Sequence, residues 1–379
     1  MNKKLLIAAV GAALVAGPML AAQADTVVYG HFHESLDSYD NGGAKAAQNF
    51  TANNGYNIGA ATDQSNGLLN SNSSRFGIKG SEDLGGGLKA IYQVESAAFN
   101  ADDGSGAFGG TLRNTFMGFA GSSWGSVKFG RHDTPVKDMS RKIDAFNEEI
   151  GDMRVGIGYA RFDNRASNMV RYDSPSFSGI QFALLYATSE TNTDVNTTVS
   201  SIPSTSAPAT GITSGNVTWS QGPIYLGLGY ETHNAHDSNL KEESDIRLVG
   251  KFDITPEFYV AAIYDKVSNV VYLDNIDGSS LGIGAGFKMA NNLFKFQYAQ
   301  IDATDGASPD NGATIWAIGV DHNFSKTTKV YLDYAKAEND DAQNINVSSG
   351  YAGHGTSSVP AVGAGQSPSA ISLGMVLNF

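Results

Sequence analysis

Six cations and four carboxylates stand where they could act on passing charge instead of on covalent bonds. Arg75 and Lys79 alternate with Phe76 and Ile78, Arg171 sits between Val170 and Tyr172, and Lys128 sits between Val127 and Phe129. Arg113 shares its face with Thr115, opposite Phe116, whereas Arg131 breaks the parity of its run. The polar stretch 132–165 carries Asp144, Glu148, Glu149 and Asp152 with Asp133, Asp138 and Asp163, against Lys137, Arg141, Lys142, Arg154, Arg161 and Arg165. Cations on a wall facing carboxylates across a narrow passage hold a transverse field that sorts ions. The competing reading for any one of these stretch residues is an ordinary solvated charge, and the spacing leaves both open.

Bond-making chemistry finds less support. His31 and His33 lie two apart on one strand face, a spacing a metal could use, but histidines lining a polar wall are the preferred reading and no metal is expected. His233, His236 and Asp237 form a similar cluster in a connecting segment. The chain has no cysteine, which excludes thiolate nucleophiles, thiolate metal sites and disulfides. A lipid hydrolase would need a Gly-x-Ser-x-Gly elbow; the nearest candidate, Gly104-Ser105-Gly106, is a glycine-rich turn. A formal net charge of −13 repels phosphate backbones, so nucleic acid is not an expected partner. No cofactor is implied.

The elements that must position these residues are strands. Phe294-Lys295-Phe296-Gln297-Tyr298, Val330-Tyr331-Leu332-Asp333-Tyr334 and Leu281-Gly282-Ile283-Gly284-Ala285 all alternate with period two. A helix would place its apolar residues three and four apart. With 44 Gly, 16 Tyr and 19 Phe against 10 Pro, the composition suits strands and tight turns. Short turns are expected near 82–86, 121–125, 174–179, 221–223, 255–256, 290–292 and 325–327. Long polar connections are expected near 36–72, 99–109, 132–165, 189–210, 233–241, 268–278, 302–311 and 338–369. Seven turns make seven hairpins, and a strand at each end brings the count to 16. Strict alternation of short turns and long loops is the signature of an outer-membrane barrel, all-β, antiparallel and closed, with no internal domain boundary. A surface-exposed structural or adhesin barrel fits the same strand pattern.

The ends carry their own signals. Lys3 and Lys4 precede an apolar run, Leu5 to Ala16, and Ala22-Gln23-Ala24 fits the small-x-small cleavage rule. Residues 1–24 are therefore expected to be an export signal, leaving 25–379 as the barrel. Cleavage before Asp25 removes Lys3 and Lys4 and moves the net charge to −15. At the other end Ile371, Leu373, Met375, Leu377 and Phe379 lie on one apolar face.

Several stretches resemble the trimeric general diffusion porins of the Gram-negative outer membrane. They are Ser73-Ser74-Arg75-Phe76-Gly77-Ile78-Lys79-Gly80-Ser81-Glu82-Asp83-Leu84-Gly85-Gly86-Gly87-Leu88-Lys89-Ala90, then Arg113 to Gly121, Gly130-Arg131-His132 and Val170-Arg171-Tyr172-Asp173-Ser174-Pro175. Val28-Tyr29-Gly30 and the terminal Phe379 agree as well. The resemblance implies a 16-stranded barrel whose third loop folds inward as a constriction. It also implies a homotrimer in outer-membrane lipid that passes ions and small hydrophilic solutes. On this reading Arg75, Lys79, Arg113, Lys128, Arg131 and Arg171 line the pore wall, a bulge bringing Arg131 to the common side. Asp144, Glu148, Glu149 and Asp152 become the acidic side of the constriction. Leu373, Met375, Leu377 and Phe379 become the signal read by the barrel insertion machinery. The family's Pro-Glu-Phe-Gly tetrapeptide is missing from the third loop, and Asp144-Ala145-Phe146 is expected in its place.

Overall fold

The computed structural model describes residues 24–43, 65–98, 111–188, 211–234, 241–307, 310–348, 354 and 360–379. The expected export signal lies outside the described residues except for Ala24, as do His236, Asp237 and Gly104 to Gly106.

Alternating sequence becomes strand throughout. The first part comprises β1 (Ala24–Asp40), β2 (Ser65–Ser71), β3 (Arg75–Gly85), β4 (Leu88–Ala97), β5 (Thr115–Gly121) and β6 (Gly125–Asp133). After a helical interlude come β7 (Arg165–Asp173), β8 (Ile180–Thr188), β9 (Gly211–Gln221), β10 (Ile224–His233), β11 (Glu243–Asp253) and β12 (Phe258–Ser268). The wall ends with β13 (Gly278–Met289), β14 (Asn292–Ile301), β15 (Ala313–Asn323), β16 (Thr328–Asn339) and β17 (Ser369–Asn378). All seven expected short turns join successive strands. Gly125 shows why one of them requires glycine: its φ is +92°, and a Cβ there would lie 2.1 Å from the Asp173 carbonyl oxygen.

Every pairing is antiparallel between neighbours, and β1 closes the sheet. One edge of β1 pairs with β17, from His31↔Asn378 to Asp40↔Ser369. Its other edge pairs first with β3, Ala24↔Glu82 to His31↔Arg75, and then with β2, Glu34↔Ser71 to Asp40↔Ser65. β2 and β3 are thus two halves of one wall strand, interrupted at Asn72 to Ser74, and the 17 segments form a closed 16-stranded barrel. At the interruption Ser73 turns left-handed, while the Asn72 N–H still donates to the His33 carbonyl at 2.7 Å. The expected polar connection 36–72 is corrected at both ends, since Leu36 to Asp40 and Ser65 to Ser71 continue the wall. Asp37 and Asn70 face inward, where Asn70 donates to Asp37, and beside the break Asn72 donates to the Ser35 hydroxyl.

The two faces differ as lipid and water demand. Leu226, Leu248, Leu281, Phe294, Leu332 and Leu373 point outward and are about half exposed. Between them Arg247, Asp265, Lys295 and Asp333 point inward and are buried. A closed barrel leaves no strand edge unpaired, which hydrocarbon requires. The chain end completes the seam. The Phe379 N–H donates to the Gly30 carbonyl at 3.2 Å, and its own carbonyl accepts from the Gly30 N–H at 3.0 Å. A Cβ on Gly30 would lie 2.3 Å from the Phe379 ring, so glycine is what lets that ring lie against the wall.

Deleting Phe379 removes two seam hydrogen bonds and the aromatic end of the lipid-facing row. Membrane fractionation should then find the truncated chain depleted from the outer membrane; undiminished levels there would contradict the assignment of this row as an insertion signal.

Candidate functional site

Between β6 and β7 the chain leaves the wall and turns into the barrel. Thr134 caps α1 (Pro135–Ser140), its hydroxyl accepting from the Lys137 N–H at 3.4 Å, and two single 3-10 turns follow at Met153–Val155 and Ile157–Ala160. Met139, Ile143, Phe146, Ile150, Met153 and Ile157 are at most 2% exposed. They pack on Val249, Ala261, Ile263, Ala299, Ile315, Ala317 and Ala335, the inward residues of β11 to β16. These residues form an apolar patch on that half of the inner wall, interleaved with the charges of Arg247, Asp265, Lys295 and Asp333, and the patch gains by being covered. Each large side chain buried this way contributes roughly 1.5–3 kcal/mol. Gly151 marks the closest approach: its φ is +77°, and a Cβ there would meet the Ala317 Cβ at 2.4 Å.

The tip of this loop is held by charge. Both Glu148 carboxylate oxygens accept from the Arg75 Nη1, Oε1 at 3.0 Å and Oε2 at 2.9 Å, with Arg113 at 3.7 Å and Arg141 at 4.0 Å. Its backbone is left-handed (φ 66°), a conformation costing about 1–3 kcal/mol that its contacts must offset. Burial alone would raise the Glu148 pKa, but Arg75, His31, Arg141 and Arg113 together outweigh it, and the carboxyl sits well below its ordinary value. Glu149 points the other way, to Lys295 on β14 and to Lys329 on β16 at 2.6 Å. Burial pushes it up, Lys295 and Lys329 pull it down, and the pull wins. Adjacent carboxylates therefore tie the tip to two separate parts of the wall.

The remaining wall cations are paired too. Arg113 Nε donates to Glu95 at 2.8 Å, Lys128 lies 2.9 Å from Asp173, and Arg171 reaches both Asp173 and Asp138 at 2.7 Å. Lys79 shares the inward parity of Arg75 but lies further along β3, above the Tyr29 ring at 4.9 Å and away from the loop tip. Three expectations need correction. Arg131 stays on the face of Val127 and Phe129, bonded to the Leu112 carbonyl and the Ser167 hydroxyl. A bulge exists there, but the extra residue is on β7, so β6 keeps its alternation and Arg131 does not turn inward. Asp144 and Asp152 do not face open water either. Asp152 binds Arg154 and accepts the Glu148 N–H, and Asp144 accepts the Phe146 N–H, both inside the loop.

Several anchors escaped the sequence reading. Lys295 sits fully buried among Glu149, Asp321 and Asp333, and Arg247 among Asp163, Asp245 and Asp265. Their parity was visible, since each alternates with lipid-facing residues, but nothing along the chain named their partners. Asp163 secures the root of the loop through Arg154 and Arg247, each at 3.3 Å, and Ser140 at 3.2 Å. Burial raises its pKa, and Arg154, Lys137 and Arg247 lower it to a net value below the ordinary one.

A closed 16-stranded barrel with an apolar outer face, a charged inner wall and a loop packed inside it is a pore-forming protein of the outer membrane. The chain belongs to the Gram-negative porin family, which it matches over residues 7–342. An outer membrane porin protein of Bordetella pertussis is 29% identical over 377 aligned residues, covering 88% of this chain and 94% of that protein. An anion-selective porin from Comamonas acidovorans superimposes with a TM-score of 0.72 at 22% identity, over 94% of this chain and 100% of that one. The trimer form of OmpT, an outer membrane protein of Vibrio cholerae, gives 0.62 at 14% identity, over 94% and 99%. These two structures share the fold. The chain is an outer-membrane porin, forming a water-filled channel for passive diffusion of ions and small hydrophilic solutes.

Two outcomes follow from the docking of the loop. Gly151→Val places a branched side chain against Ala317 and should cost about 1–3 kcal/mol of local packing. Single-channel conductance in planar bilayers should change while the barrel's melting temperature holds; an unaltered conductance would show that the tip does not limit flow. The second concerns acid. Because the Asp163 pKa is depressed, its anchoring is complete above the ordinary carboxylate value of about 3.9 and is lost as pH falls through the lower folded value. Current noise should stay flat from pH 7 to about 5 and rise only below about 4, and Asp163→Asn should show the raised noise already at pH 7.

Proposed function

We propose that ions and solutes pass between the loop and the β3–β7 side of the wall, and that Arg75, Arg113, Lys128 and Arg171 with Asp138, Arg141 and Glu148 form the charge filter. The observation that carries this reading is compensation. Arg75, Arg113, Lys128, Arg141 and Arg171 each have a carboxylate oxygen within 4.0 Å. A compensated ring exerts a short-ranged field, so discrimination between anions and cations is weak and the channel is a general one. Glu148 and Glu149 also position the tip, which couples the width of the passage to its charge. The protein performs no bond-making step on this reading.

The assembly proposed is a homotrimer in outer-membrane lipid, supported by family membership and by the trimer form of the Vibrio cholerae relative in fold. Residues 1–24 are proposed to direct export and to be removed, and Leu373, Met375, Leu377 and Phe379 to engage the insertion machinery. All four side chains are 36–55% exposed on the outer face, where a partner could read them before the barrel closes.

Reversal potential in a salt gradient tests the filter. Glu148→Gln with Glu149→Gln leaves Arg75, Arg113 and Arg141 in excess and should shift selectivity toward anions; Arg75→Gln should shift it toward cations. Both shifts should shrink as the Debye length falls from about 10 Å at 0.1 M to about 3 Å at 1 M salt. Unmoved reversal potentials in dilute salt would place the filter elsewhere.

A further inference from the structure

We infer that His31, His33 and Glu148 form a binding site for a divalent transition metal such as zinc on the wall of the constriction. One ring nitrogen from each histidine and one Glu148 oxygen lie within 4.8 Å of one another. Two imidazoles and a carboxylate are a donor set that suits zinc, with a further position open for water. His31 and His33 share the inward face of β1, and the loop supplies the third donor, so the site exists only in the folded barrel.

The local hydrogen bonding prepares it. His31 Nδ1 lies 2.7 Å from the Asn378 Oδ1, an amide oxygen that can only accept, so Nδ1 donates there and Nε2 is the nitrogen offered to a metal. That Nε2 is buried, has no hydrogen-bond partner, and faces the Glu148 Oε2 at 3.5 Å. In the neutral ring these are two facing acceptors, an arrangement that a cation between them satisfies. The His33 ring is oriented by the Tyr331 hydroxyl, 2.8 Å from its Nε2, the kind of outer contact that steadies a metal-binding histidine. A second cluster, Glu149 with Asp321 and Asp333, is a poor candidate, because the Lys295 ammonium already fills it.

Arg75, Arg113 and Arg141 surround the same carboxylate and oppose any added positive charge. A proton on Nε2 meets that opposition with one nitrogen as its gain, whereas a transition metal also gains a second imidazole. Affinity is therefore moderate, and binding is reversible. A metal held here engages the carboxylate that pins the loop tip and adds positive charge where the loop meets the wall, so it should alter the current. The inference requires the loop tip at the wall and does not depend on which residues set ion selectivity.

Zinc chloride added to single channels in planar bilayers is the test, with magnesium chloride at equal concentration as the hard-cation control. Zinc should reduce conductance reversibly, chelator should restore it, and magnesium should leave it unchanged. His31→Ala and His33→Ala should each weaken the zinc response at least about tenfold, in barrels that still migrate as folded, heat-modifiable species. Wild-type channels indifferent to millimolar zinc, or a zinc response unchanged in His31→Ala, would overturn the inference. Should the alanine variants fail to assemble, diethyl pyrocarbonate labelling of the wild-type protein decides: zinc must protect His31, and labelling unaffected by zinc rejects the site.

Discussion

Hydrocarbon offers no partner for a peptide group, and this constraint governs the whole molecule. A sheet in lipid must close, and here one 17-residue strand does the closing. β1 meets β17 on one edge and both β2 and β3 on the other, so its length lets a wall strand tolerate the break at Asn72 to Ser74. Once closure is fixed, alternation divides every strand between lipid and interior. The interior of 16 strands is too wide for side chains to fill, so what lines it decides what the barrel does.

The lining is unequal around the circumference. Strands β11 to β16 present an inward cluster of alanine and aliphatic residues, Val249, Ala261, Ile263, Ala299, Ile315, Ala317 and Ala335, interleaved with paired charges such as Arg247–Asp265 and Lys295–Asp333. The loop between β6 and β7 covers it with apolar side chains spaced three and four apart. Opposite stand Arg75, Arg113, Lys128 and Arg171, all paired with acids, Arg75 and Lys128 part-exposed and Arg113 and Arg171 buried. The same segment thus removes an apolar surface from the lumen and narrows the space beside the charged one.

Charge then makes the arrangement specific. Apolar packing alone would let the loop slide, whereas Glu148 and Glu149 have partners on different strands and fix both position and rotation. Both carboxylates are buried, so removing their cationic partners is costly, up to about 3–5 kcal/mol where the partner is buried too, as Lys295 is, because the carboxylate is stranded. The left-handed backbone at Glu148 is the local strain this double attachment sustains.

The sequence by itself determined the strand pattern, the seven turns, the count of 16, the lipid-facing row that ends at Phe379 and the parity of Arg75, Lys128 and Arg171. Those features depend on neighbours one and two residues apart, and period two is a local property of the chain. Tertiary structure decided the rest. Arg131 kept to the outer face because the bulge fell on β7, a choice between two strands that neither sequence announces. Asp152 became an internal clamp for Arg154, and Lys295 an anchor for Glu149, through pairings that span 146 residues in the second case. Met139, Ile143, Phe146, Ile150 and Met153 recur three and four apart inside a stretch that reads as polar, and only the closed barrel supplies the apolar wall they meet. Charges and acceptors become a filter or a metal site when distant segments converge within a few ångströms, and that convergence is set by closure of the sheet, which no local window of sequence contains.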